Sequence, residues 1–86
     1  MNTNELYSLY KYLSNCLINN KNADYVPDEN AVMRLYIQII HGEAKRKDFL
    51  IHAIKDMMNY IKENNIKEVN SILMVKFNRI YGENKR

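Results

Sequence analysis

Apolar residues in this chain recur at intervals of three and four, and no run alternates apolar and polar positions as a half-buried strand would. Four periodic segments stand out, predicting helices at about 3–19, 28–41, 44–64 and 66–81. The expected fold is all-α: a compact four-helix domain over residues 1–86, with 83–86 as a frayed tail. Two glycines and one proline leave few breakers inside these segments.

In the first segment Leu6, Leu9, Tyr10, Leu13, Cys16 and Leu17 make one apolar face, with Ser8, Lys11 and Asn15 opposite. Asn2 followed by Glu5 reads as a capping box. The Asn-rich stretch 19–22 ends the helix, and a polar connection runs to Val26-Pro27-Asp28. Proline holds Val26 extended, and Asp28 and Glu29 suit a helix N-terminus.

The second segment is apolar around most of its circumference. Val32, Leu35, Tyr36 and Ile39 form one stripe, Met33, Ile37 and Ile40 another, and only Arg34, Gln38 and His41 are polar between them. Such a helix is either the centre of the array or half of an interface. Gly42 follows as a natural C′ residue.

The third segment starts with Lys45, Arg46 and Lys47, the wrong sign for a helix N-terminus. Its stripe is Phe49, Leu50, Ala53, Ile54, Met57, Met58 and Ile61. In the fourth, Asn65 with Glu68 reads as a second capping box. Ile66, Val69, Leu73, Phe77 and Ile80 are expected to face inward, with Ile72 and Tyr81 beside them, and Gly82 fits a C-cap.

Size and composition narrow the classes. An 86-residue chain buries roughly 60–65% of its unfolded surface, so its core is thin. The single cysteine, Cys16, rules out an intrachain disulfide and suits a reducing compartment. Polar residues interrupt every apolar stretch well before the ~18 residues a span requires, and the N-terminus does not read as a targeting segment. The chain is read as soluble and cytoplasmic. Abundant Asn, Ile, Lys and Tyr have A/T-rich codons, which suits an AT-rich genome or a phage or plasmid living in one.

Charge is unevenly placed. Residues 1–30 hold two basic and four acidic residues, and residues 31–86 hold eleven basic and six acidic, within a net +3. The basic residues cluster at Lys45, Arg46 and Lys47 and at Lys76, Arg79, Lys85 and Arg86. Such clusters attract phosphate backbones, making Lys45, Arg46, Lys47, Lys76 and Arg79 candidate nucleic-acid contacts. A helix-turn-helix around Gly42 would bury His41, Glu43 and Asp48, which argues against that motif.

No catalytic constellation is legible. Asp48, His52 and Asp56 align along the third helix, but on its solvated face, so no metal site is assigned. Cys16 has no basic neighbour in sequence to activate it. No cofactor and no small-molecule substrate are implied. The excess apolar and tyrosine surface points to contact with another macromolecule, with Met33, Ile37, Ile40 and an exposed Tyr12 as the candidate protein interface. The leading expectation is a non-enzymatic regulatory or adaptor protein of the modulator, inhibitor or immunity type, binding a protein partner or a second copy as a homodimer. The alternative is a nucleic-acid-binding regulator using the two basic clusters.

Overall fold

Asn2 opens the first helix as its spacing predicts. Its side chain accepts from the Glu5 N–H at 2.8 Å, and its own N–H donates to Glu5 Oε1 at 3.1 Å. The computed structural model describes residues 1–66 and 71–82. Within them α1 is Thr3–Ile18, α2 is Glu29–Ile40, a 3-10 turn at Ala44–Arg46 leads into α3, Lys47–Glu63, and α4 is Ile72–Tyr81. No strand occurs among the described residues, and the architecture is the expected all-α four-helix domain.

The helix ends follow local chemistry. Asp28 caps α2 by accepting from the Ala31 N–H at 3.1 Å, so the helix proper begins one residue later than expected. Gly42, at φ +115°, closes α2: its N–H donates to Ile39 O, and the Glu43 N–H donates to Gln38 O. This is a Schellman motif, which needs a residue tolerant of left-handed geometry. The basic start of α3 has no side-chain cap and enters through the 3-10 turn. There Arg46 Nε donates to Glu43 Oε1 at 2.7 Å.

The start of the fourth helix differs from the sequence expectation. Asn65 does not cap a helix beginning at 66. It stands at φ +54° as the left-handed residue that ends α3, with its N–H donating to Lys62 O and the Ile66 N–H donating to Ile61 O. The described α4 starts at Ile72, where the Ser71 hydroxyl accepts from the Leu73 N–H at 3.2 Å. Glu68, Val69, Lys85, Arg86 and the tail expected at 83–86 lie outside the described residues.

The core sits between α1 and α3. Leu6, Leu9, Tyr10, Leu13 and Leu17 of α1 are buried with Leu50, Ile54, Met57, Met58 and Ile61 of α3. By contrast, α2 buries only Val32 and Ile39, and α4 only Phe77. Among the described residues α1 packs on each of the other three helices, and with only two buried residues α2 is a peripheral helix, not the centre. The two run antiparallel, since Glu29 bonds Ser14 at one end while Tyr36 stacks on Tyr7 at the other. The end of α3 meets the 24–25 segment, where the Asp24 N–H donates to Tyr60 Oη at 2.7 Å. The C-terminal half of α4 crosses the start of α1: Lys76 donates to Glu5 at 2.8 Å, and the Met1 amine to Tyr81 Oη at 3.2 Å.

Several side chains depart from their expected faces. Phe49 is 60% exposed beside Arg46, because it lies one step off the arc that Leu50, Ile54 and Ile61 turn inward. On α4, Ile80 points out, while Met74 and Tyr81 pack against the core beside Phe77. Cys16 is half-buried rather than buried. Ser14 is the polar exception within the core: its hydroxyl is fully buried and donates to the Glu29 carboxylate. An unmet buried hydroxyl costs about 1–3 kcal/mol, so this contact is what allows a serine among leucines. Burial, aided by the nearby Tyr25 and the negative charges of Glu29 and Asp28, pushes the Tyr10 phenol up to about 12.

This arrangement sets unequal costs for two aliphatic truncations. Leu13→Ala, at a fully buried site on α1, is expected to lower unfolding free energy by about 2–4 kcal/mol, while Ile37→Ala on the outer face of α2 loses about 1 kcal/mol or less. Urea denaturation checks both; equal losses would place α2, not α1, at the centre.

Candidate protein-binding face

The outer face of α2 is built by what α1 and α3 leave uncovered. A helix presents one stripe to the surface it packs on, and α2 uses Val32, Leu35, Tyr36 and Ile39 for that purpose. Met33, Ile37 and Ile40 are then left 43%, 43% and 52% exposed. At 3.6 residues per turn these three fall within an arc of about 60°, a continuous apolar ridge. The described α4 also exposes Ile72, Val75 and Ile80, but these spread over about 140° and make no single ridge. Arg34, Gln38 and His41 remain solvent-exposed along α2, as expected of a polar ribbon.

At its Met33 end the ridge runs into a cleft of about 300 Å³ between α1 and α2. Tyr7, Tyr10, Lys11, Glu29 and Met33 line it. The Tyr7 ring stacks on Tyr36 with centroids 4.3 Å apart, and Lys11 Nζ lies 4.8 Å from the Tyr7 centroid. The Tyr36 hydroxyl donates to Asn4 Oδ1 at 2.6 Å, which fixes the stack. Rigid tyrosines beside an apolar ridge are the groups that dominate protein contacts. Tyr7 and Lys11 are not among the candidate interface residues read from the sequence; their i, i+4 spacing on α1 is the local sign of their contact. Tyr12, expected to be exposed and to join this face, is half-buried and packs against the core, because α1 buries nearly its whole inner half.

The five candidate nucleic-acid contacts do not form one site on a single element. Lys45, Arg46 and Lys47 occupy the 3-10 turn and the start of α3, which packs on α2. Lys76 and Arg79 lie on α4, which packs on α1. Two of the five are engaged: Arg46 with Glu43 at 2.7 Å and Lys76 with Glu5 at 2.8 Å. Lys45 and Arg79 are exposed, and Lys47 is half-buried.

Asp48, His52 and Asp56 are exposed, and no group of three or more potential metal ligands occurs among the described residues. Among those residues, too, no helix is long and apolar enough to cross a membrane. No family model matches the chain, and comparison with curated proteins and with solved structures likewise returns no match.

The Lys76–Glu5 contact has a readable consequence. The Lys76 ammonium, with the Asn2 backbone N–H, holds the Glu5 carboxyl below its ordinary 4.5. A carboxylate depressed in the folded state adds stability above that value and loses it as pH falls through the folded value. Lys76→Met is expected to move the Glu5 titration upward, toward 4.5, in a carboxyl-detected NMR titration. An unmoved titration would mean that α4 is not held to α1 through this pair.

Proposed function

We propose that this chain is a small non-enzymatic regulatory or adaptor protein, and that the Met33–Ile37–Ile40 ridge of α2 is where a protein partner docks. The observation that carries this reading is the ridge itself: three aliphatic side chains within one arc, each about half exposed, continuous through Met33 with a cleft lined by Tyr7 and Tyr10. Contiguous exposed apolar surface with a polar rim marks interaction sites. Three side chains alone fall short of the ~800 Å² per partner of a standard interface, so the cleft and the flanking Lys11 and Arg34 must join the contact. A modulator, inhibitor or immunity protein encoded by a phage or plasmid and acting in the cytoplasm fits this size and surface. A second copy of the chain is the other occupant that the experiment below separates.

The pairing of Arg46 and Lys76 with carboxylates favours this reading over nucleic-acid binding, since each engaged cation must first be released to meet a phosphate.

Ile37→Glu is the direct test. Its site is exposed, so the variant is expected to keep the wild-type circular dichroism spectrum and to lose the partner that wild type captures by cross-linking. A Lys45→Glu/Lys47→Glu variant is expected to retain that partner. Capture undiminished by Ile37→Glu would remove α2 from the interface. Sedimentation velocity on wild type and Ile37→Glu shows whether the partner is a second copy, since a dimer of this kind dissociates in the variant. Labelled duplex DNA at 50 and 200 mM salt is expected to show no salt-sensitive binding. A drop of ten-fold or more between the two would carry the nucleic-acid reading instead.

A further inference from the structure

A second surface on the opposite pair of helices has its own geometry. Helix α4 packs on α1, and an open groove of about 1040 Å³ lies between α4 and α3. The floor is Met58 from α3 with Met74, Phe77 and Tyr81 from α4. Phe77 and Tyr81 pack as tilted rings 5.0 Å apart, and Tyr81 is tied to the Met1 amine, so this wall is fixed in place. One rim carries Lys55, Asn59 and Lys62, which at i, i+4 and i+7 share an arc of about 60° on α3. Neither lysine is in an ion pair among the described residues, unlike Lys76 and Arg46. Glu63 is the one acidic residue on the rim.

From this juxtaposition we propose that the α3–α4 groove is a separate docking site for an amphipathic helix of a partner protein that carries acidic residues along its flank. The shape excludes most alternatives. A small ligand is held by burying some 70–90% of its surface, which a groove open along its length does not do. A helix needs cover on one face only and is about 10 Å across. Two methionines on the floor adapt to side chains of differing shape, as is common in helix-binding grooves. Lys55 and Lys62, without an ion pair among the described residues, stand about two turns, or roughly 10 Å, apart along α3. Carboxylates seven residues apart on a helix lying alongside would meet both. The net +3 of the chain draws such a partner in at long range.

The five methionines provide the readout, because Met58 and Met74 line this groove, Met33 lies on the α2 ridge and Met57 is in the core. Protein labelled with 13C in the methionine methyls is titrated with two synthetic helical peptides of about 18 residues. They share one apolar stripe, and one carries glutamates and the other lysines along its flanks. The glutamate peptide is expected to shift the Met58 and Met74 methyls and leave Met33 in place. It should bind at least ten-fold more tightly than the lysine peptide at 50 mM salt, and Lys55→Glu/Lys62→Glu should erase that preference. Equal binding of the two peptides, or no shift at millimolar peptide, would overturn the proposal. So would a shift at Met33 alone, which would assign the helix to the α2 ridge and leave the proposed function intact. Dodecanoate shifting Met58 and Met74 where the peptides do not would replace the helix with a fatty acid.

Discussion

The packing of α1 on α3 is the interaction on which the remaining geometry depends. Leu6, Leu9, Leu13 and Leu17 on one helix meet Leu50, Ile54, Met57 and Ile61 on the other, and all of these are nearly or fully removed from solvent. An apolar face that wide on sixteen residues needs cover from more than one neighbour. It takes α3 along its length, the inner stripe of α2 on one flank and Phe77 of α4 across its start. Ser14 sits within this face only because Glu29 of α2 reaches its hydroxyl, so the buried polar contact also pins the start of α2. In a chain this short little apolar area is left over to cover the outside of α2 or to close the space between α3 and α4.

That shortage links the fold to its surfaces. Among the described residues the second stripe of α2 has no partner helix, and the stacked Tyr7 and Tyr36 hold α2 so that the stripe faces out. In the same way α4 is attached to α1 through Lys76, Glu5 and the Met1 amine, with a groove left between it and α3. Both exposed surfaces follow from α1 serving three neighbours at once.

Much of this was legible in the sequence where the signal is local. The Asn2–Glu5 capping box, the Gly42 stop and the inward stripes of the first three helices each depend on residues within a turn or two of one another. The Asn65–Glu68 pattern misled for a physical reason. Asparagine serves both as an N-cap and as a left-handed C′ residue, and the bonds from Asn65 and Ile66 back to Lys62 and Ile61 decide the second role. Phe49 and Ile80 were misplaced because each lies at the edge of its stripe, where tertiary packing chooses the face. The two apolar stripes of α2 were visible, with Met33, Ile37 and Ile40 as the candidate interface, but not whether α2 would be central or peripheral; that depended on α1 taking the central position. The Tyr7–Tyr36 stack and the ion pair between Glu5 and Lys76 come from contacts between different helices, and no local spacing encodes them.

The central claim is that α1 is the hub and that the outer stripe of α2 stands open. Methionine oxidation in dilute peroxide, followed by mass spectrometry of the native protein, tests it most directly. Met33 at 43% exposure and Met57 at 0% should oxidise at widely different rates, with Met33 reacting at close to the rate of an unfolded peptide and Met57 reacting only through global unfolding. Met33 protected as fully as Met57 in dilute protein would contradict the account, because it would put the α2 stripe inside the fold.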